Sequence, residues 1–310
     1  MGIRAEKART IKNGDLLFGG AAVAGVVLTV LPLILMFFAL IAGSWAAIAE
    51  LGAGFLFNGV WDASAGEFGT AGALFGLFVT TIIALIIAVP LSLAIALFVV
   101  EFAPSFIART VGDAIDFFAA IPGVVFGLWG LWVLAPLLGE NLPASLQGDA
   151  GYLSPLFGQR AGIGLATAGV LLAIMILPFM SGLMSEALRG VPSAIREAAY
   201  SLGATSFEAA KSALIRRGAK GLAAACFLGL SRAAGETVAV AFVIGGAGGG
   251  IGSIFSTGVT PASAIALELG AAKSSLHVSA LIYLALLLFA ISLAVRAAAK
   301  FTVDRFNKAA

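Results

Sequence analysis

The sequence predicts an all-α, polytopic membrane protein, a bundle of six transmembrane helices, and three observations predict it. Of 310 residues, 61% are hydrophobic and 11% are charged, and the mean hydropathy is +1.08. An average soluble domain has about 45–50% apolar and about 25% charged residues. The apolar residues fall in long continuous runs matching the ~20 residues of a spanning helix, not in the alternation of barrel strands. Lysine and arginine crowd into the two ends of the chain and the fourth connection between those runs. This composition excludes a water-soluble globular fold and a disordered chain. A net charge of +2 leaves no footprint for nucleic acid.

The runs are 17–43, 72–100, 114–138, 163–185, 219–245 and 276–298. The first is too long for the apolar part of a signal peptide and no persuasive cleavage site follows it, so it reads as a retained helix. Pro90, Pro122 and Pro178 lie within runs and predict kinks, which a membrane helix tolerates when neighbours satisfy the freed carbonyl. A tail, 1–16, precedes the six-helix domain 17–298 and another, 299–310, follows it.

Fifteen of the 18 basic residues lie in the N-terminal tail (Arg4, Lys7, Arg9, Lys12), the second connection (Arg109), the fourth (Arg189, Arg196, Lys211, Arg216, Arg217, Lys220) or the C-terminal end (Arg296, Lys300, Arg305, Lys308). The odd-numbered connections hold Arg160 and Lys273. This asymmetry predicts both termini and the even connections on the cytoplasmic side of the cell membrane. The outer connections are acidic, with Glu50, Asp62, Glu67, Glu140, Asp149 and Glu268. Gly245–Gly252 reads as a flexible outer loop, or as a mouth where backbone approaches a substrate or a docking protein.

Cys226 is the single cysteine and reads as a small packing residue. His277, the single histidine, reads as an interfacial residue at the outer start of the sixth span. Asp113 and Asp116 read as negative charge at the N-terminus of the third span, and Glu101, closing the second, as an interface residue. Trp45, Trp61, Trp129 and Trp132 divide between interface belt and core packing. No G-x-x-x-x-G-K-[ST] loop, metal-ligand cluster or catalytic constellation occurs in the sequence. The expectation is therefore a chain with no catalytic residues of its own and no cofactor or metal.

Two segments carry the chemistry. The fourth connection, 186–218, carries most of Ser185–Thr205, with Pro192 placed to open a helix, Glu197-Ala198-Ala199 as good helix sequence and Gly203 as its stop. Thr205 and Glu208 have capping-box spacing for a second helix. A short helix of this kind is unstable alone and needs something to dock on: a partner, or the lipid interface.

The second segment is Ser231-Arg232-Ala233-Ala234-Gly235-Glu236-Thr237, midway along the fifth run. A mid-membrane arginine costs about 2.5–3.5 kcal/mol on insertion scales, so it is a functional hypothesis by default. Its planar donor fork fits phosphate or carboxylate oxygens. Glu236, four residues on, would share its helical face, either as the partner in a buried ion pair or as an acceptor for a protonated substrate oxygen.

Glu197-Ala198-Ala199-x-x-x-Gly203 resembles the EAA loop of ABC importer permeases, though Ile215-Arg216 stands where that pattern has a hydrophobic-Pro pair. Arg232-Ala-Ala-Gly-Glu236-Thr237 is similar to the RAxGET segment of phosphate-uptake ABC permeases. Ile121–Pro136 and Ala264–Leu281 resemble the third span and the approach to the sixth span of their PstC branch. The resemblance covers most of 70–300. It implies a type I ABC importer permease fold in a bacterial inner membrane, with inorganic phosphate as substrate.

It also implies a homologous second permease, two ATP-binding subunits and an extracytoplasmic phosphate-binding protein as partners, besides membrane lipid. Arg232 and Glu236, with Ser231 and Thr237, are then the translocation residues. Glu197, Ala198, Ala199, Ser201, Leu202 and Gly203 are then the ATPase-coupling ones. The alternatives are a permease for another oxyanion, the sister phosphate permease, an ion-coupled secondary anion transporter, or a structural subunit in which Arg232 and Glu236 are glue.

Overall fold

The computed structural model describes residues 2–63, 65–141, 162–246 and 253–308. Asp149, Arg160 and positions 247–252 of the glycine run lie outside these residues. Among the described residues the chain is helical apart from turns and two isolated bridges, Asp62 with Glu67 and Gly245 with Gly258. The helices are α1 Gly2–Leu51, α2 Gly54–Phe57, α3 Ala71–Leu97, α4 Ser105–Ala119, α5 Gly123–Trp129, α6 Ala135–Asn141 and α7 Leu165–Arg189. They continue as α8 Ser193–Ser201, α9 Ser206–Ala209, α10 Arg216–Ala234, α11 Val238–Val243, α12 Pro261–Glu268 and α13 Ser275–Lys308.

α7 is the centre of the bundle. Two-thirds (67%) of its apolar window is buried, against 28% or less for the other continuous spans. Without a hydrophobic drive between helices in lipid, association depends on close packing of small residues. α7 follows that rule on both flanks. Gly169 abuts Ile83 and the Thr80 carbonyl of α3, and Met180 and Ala187 fit against Gly229 and Gly221 of α10. Ala84, Ala88, Ala96, Ala168 and Ala173 complete a core of small residues, and Cys226 packs at its margin as expected.

Four helices are continuous, long and apolar enough to cross a membrane: Phe18–Leu51, Ala71–Phe102, Leu165–Arg189 and Ser275–Thr302. The expected third span is not a single kinked helix. It is a pair, Ser105–Ala119 and Gly123–Gly139, bent by 89°. The break holds Pro122, with an extended backbone (ψ 141°), followed by Gly123. A proline and a glycine together do more than kink: the residue before proline is pushed out of helical geometry. The expected fifth span, 219–245, is likewise divided, into α10 and α11, at 235–237. Among the described residues, counted by length and composition, four helices qualify as spans, or five with the bent pair as one, so the sixth is not counted by that measure. The early start of α4 also moves Asp113 and Asp116 into its interior and last turn, so neither sits at a helix N-terminus.

α1 is longer than expected, since the tail 1–16 is helical from Gly2. It leans on α13 over its last third. There Gly43 admits Ile282, the Ala47 N–H donates to Ser279 Oγ at 3.0 Å, and Ser279 Oγ donates to the Gly43 carbonyl at 2.8 Å. Its side chains from Phe18 to Met36 are exposed.

The fourth connection folds as the sequence predicts. Pro192 precedes α8 as its N-cap. Gly203 (φ +84°) ends α8 in the left-handed conformation that favours glycine. The Gly203 N–H donates to Tyr200 O and the Ala204 N–H to Ala199 O, the two bonds of a Schellman motif. The Thr205–Glu208 capping box then starts α9.

Backbone and side-chain hydrogen bonds from Thr205 hold the Glu208 carboxyl below the usual carboxylate range. The box is therefore intact above the ordinary carboxylate pKa and is lost as pH falls through the lower folded value. In a carboxyl NMR titration Glu208 should have a midpoint below that of a free glutamate, and Thr205→Val, which removes the hydroxyl but keeps the backbone N–H that is the larger cause, should move it only part of the way back. A normal midpoint in the unmodified protein would remove the box as a feature of the elbow.

Candidate functional site

The two helix breaks meet inside the bundle. α5 begins after its break at Gly123, and a Cβ there would lie 2.9 Å from Glu236 Oε1, which belongs to the second break. Further along, Gly127 lets α5 close on α11: a Cβ would stand 2.6 Å from Phe242 and 3.1 Å from the Ala239 Cα. Two interrupted helices packed through glycines thus place the N-terminal ends of α5 and α11 side by side. In membrane transporters, half-helix N-termini of this kind face anionic groups, because their orphan N–H groups and dipoles favour negative charge.

Arg232 lies in the last turn of α10. Its guanidinium stands 5.0 Å above the Phe179 ring of α7, and the residue is exposed at the surface of the chain. A cation over an aromatic face contributes about 0.5–1 kcal/mol when exposed. Among the described residues no ion pair joins Arg232 to Glu236. The i,i+4 register expected from the sequence fails because α10 stops at Ala234, so Glu236 is not on the helix that carries Arg232. Its Oε1 instead accepts the Ala239 N–H at 3.1 Å and caps α11. The arginine fork is left without a carboxylate across it.

The other two residues of the segment part company. Thr237 is the N-cap residue of α11, and its Oγ1 donates to Gly235 O at 3.4 Å, a weak contact. Ser231 turns toward α13. It lines a recess of about 300 Å³ between α10 and α13, whose wall includes Phe227, Leu228, Arg296 and Lys300. The structure therefore brings Arg232, Glu236 and Thr237 to one break and leaves Ser231 in the recess beside α13.

At the elbow, Glu197, Ala198, Ser201, Leu202 and Gly203 are exposed, and Leu202 is 90% exposed. Ala199 is half-buried, as a helix face turned toward the bundle should be. Beneath α8 lies a contact invisible in the sequence. Arg196 pairs with Glu101 at 3.3 Å, and the Tyr200 hydroxyl donates to the same carboxylate. The expectation of Glu101 as an interface residue needs correction: its side chain is 2% exposed and is engaged within this chain. Ninety-five positions separate the two charges, so no local spacing could have announced them.

At the opposite end described residues of the first and fifth connections meet. Glu268 Oε2 accepts Trp61 Nε1–H at 2.8 Å and lies 3.0 Å from His277 Nε2. The His277 ring stacks on Phe68 with centroids 5.1 Å apart. His277 is buried rather than interfacial, because the segment 55–68 folds over it. The connection after the glycine run is also ordered. Thr260 and Ser263 form a capping box with Pro261 at the first position, and α12 packs into the bundle.

Comparison with known proteins adds three findings. No family model matches the chain. Among curated proteins, the phosphate transport system permease protein PstC of Pasteurella multocida is 41% identical over 273 residues, covering 87% of this chain and 85% of its own length. That of Haemophilus influenzae is 41% identical over 257 residues, covering 82% and 81%. PstC 2 of Mycobacterium tuberculosis is 36% identical over 301 residues, covering 94% and 92%. Among solved structures, an inward-facing conformation of the MetNI methionine ABC transporter aligns with TM-score 0.55 at 20% identity, over 76% of this chain and 94% of that one. An amino acid ABC transporter solved with histidines aligns with TM-score 0.51 at 19% identity, over 76% and 92%. At such identities the structural likeness speaks for the fold: that of an ABC importer permease.

Proposed function

We propose, from the premise that this chain belongs to the PstC family of phosphate transport system permease proteins, that it is the permease subunit of an ATP-driven importer of inorganic phosphate. The observation that carries the proposal beyond family membership is Arg232. It is an exposed cation at a helix break in the middle of an apolar bundle, with no carboxylate paired to it among the described residues. An arginine so placed is costly in lipid unless an anion or a water-filled path meets it. Phosphate, with several oxygens for a planar donor fork, fits that requirement.

The chain supplies half of the path. Arg232 lies on an open face, so a homologous second permease completes the site there. The pathway runs past the two breaks, with Arg232 reading charge and Glu236 accepting a hydrogen bond from a protonated substrate oxygen. α8 and the Gly203 elbow are the surface gripped by two ATPase subunits, through Glu197, Ser201 and Leu202. Closure of those subunits moves the elbow and rocks the bundle between outward and inward access. The elbow and both termini lie in the cytoplasm of a bacterial cell and the chain in its inner membrane, a reading that the crowding of lysine and arginine on that side supports. A binding protein delivers phosphate at the opposite, acidic end. Delivery by a closed carrier makes long-range attraction of the anion unnecessary.

The test is reconstitution in vesicles with the second permease, the ATPase subunits and the phosphate-binding protein. ATP turnover should rise when phosphate-loaded binding protein is supplied, with phosphate accumulating inside in step. Uptake that continues without ATP and follows the membrane potential would replace this reading with an ion-coupled carrier.

A further inference from the structure

α8 is lightly held by packing. None of its residues is fully buried, Ile195 alone of them packs against the main apolar core, and a nine-residue helix has little stability of its own. Its polar anchor is Glu101. That residue sits in a π-helical turn, Phe98–Phe102, which ends the spanning helix α3 just before Pro104. Turns of this type place side chains out of α-helical register and recur at functional positions. The turn carries the Glu101 side chain inward, where it is 2% exposed, and there it meets Arg196 and the Tyr200 hydroxyl together. Positions 196 and 200 are one helical turn apart and share a face of α8. The exposed positions Glu197, Ala198 and Ser201 belong to the other side of the helix.

We propose that Glu101 is a positioning residue that couples α8 to α3, so that displacement of the elbow is delivered to the spanning helix as a pull on a buried carboxylate. The proposal rests on the reading of α8 as the surface gripped by the ATPase subunits. Two features make Glu101 a coupling element beyond a packing contact. An apolar contact slides, whereas one carboxylate held by two groups spaced along a helix resists both sliding and rotation. The load also has somewhere to go. α3 runs beside the central helix, with Gly169 of α7 fitted against Ile83 and Thr80, and α7 carries the Phe179 ring beneath Arg232. A movement of α8 therefore reaches the candidate site through two packed helices.

The experiment uses the complete reconstituted transporter and reads the ratio of phosphate-stimulated to basal ATP turnover, alongside phosphate moved per ATP. Glu101→Gln and Arg196→Gln are expected to lower both by about fivefold or more, within the range of coupling between distant sites. Arg196→Lys, which keeps a cation opposite the carboxylate, should retain most of the coupling. Tyr200→Phe removes a single hydroxyl, keeps the helix intact and should give a smaller loss in the same direction. It decides the matter if the charge variants fail to assemble. Normal ratios in Glu101→Gln, in a system whose unmodified form is stimulated by phosphate, would overturn the proposal and leave the transport reading standing. Normal ratios in Tyr200→Phe, where the charge variants do not assemble, would overturn it equally. Absence of stimulation in the unmodified transporter would overturn the transport reading and the proposal with it.

Discussion

Arg232→Ala is expected to abolish phosphate-driven transport while leaving the protein folded. The magnitudes separate the two effects. In the free chain the guanidinium lies over the Phe179 ring at 5.0 Å, a contact worth about 0.5–1 kcal/mol at an exposed site. That is small against the total stability of a folded chain. Toward an anion the same group can make two charge-assisted hydrogen bonds of about 1.5–3 kcal/mol each. At 1.4 kcal/mol per factor of ten, losing them lowers occupancy of the site by about 100-fold or more. Uptake in vesicles and phosphate-stimulated ATP turnover should both fall to background, with melting behaviour and assembly with the ATPase subunits unchanged. Arg232→Lys should recover part of the uptake, because a point charge replaces the charge without the fork. Uptake above half of normal in Arg232→Ala would end the case for this residue as the anion reader.

The second large effect concerns which anion is accepted. Near neutral pH phosphate keeps at least one proton and sulfate keeps none. A carboxylate beside the path can accept a hydrogen bond from the first and only repel the second. Glu236→Gln is a clean probe, since the amide oxygen can still accept the Ala239 N–H and preserve the start of α11. Removing the charge strengthens binding of both anions, so the ratio decides, not the affinity. Competition by sulfate for phosphate on the assembled permease pair, measured without the binding protein, should become about tenfold more effective, the worth of one lost hydrogen bond of about 1.4 kcal/mol. An unchanged ratio would leave Glu236 as a helix cap and nothing more.

What could be read in the sequence was local. The elbow was legible because each of its parts is a short-range rule: Gly203 for a left-handed turn, Thr205 and Glu208 for a reciprocal cap. The apolar runs were legible because solvent transfer is a sum over neighbours in the chain. What escaped was what depends on where a helix stops or on what lies across the bundle. Pro122 was visible as a kink, but whether it bends or breaks the helix depends on Gly123 and on the fit of that glycine against Glu236. The same uncertainty at Gly235 moved Glu236 off the face of Arg232. Glu101 with Arg196, and Trp61 with Glu268 and His277, are tertiary meetings of segments far apart in sequence. The family resemblance, by contrast, rested on motifs whose residues are contiguous, and it held.

The bare stretch of α1 separates what the bilayer does from what the bundle does. From Phe18 to Met36 the helix touches little of its own chain, and at 1.5 Å per residue that stretch is nearly as long as the hydrocarbon layer is thick. It therefore owes its place to solvent transfer, and α7 owes its place to fit. A change in lipid thickness acts on the first directly and reaches the second only through the short seam at Gly43–Ala47. The chain thus has two masters: an outer helix tuned by the membrane around it, and an interior that feels the membrane through that seam.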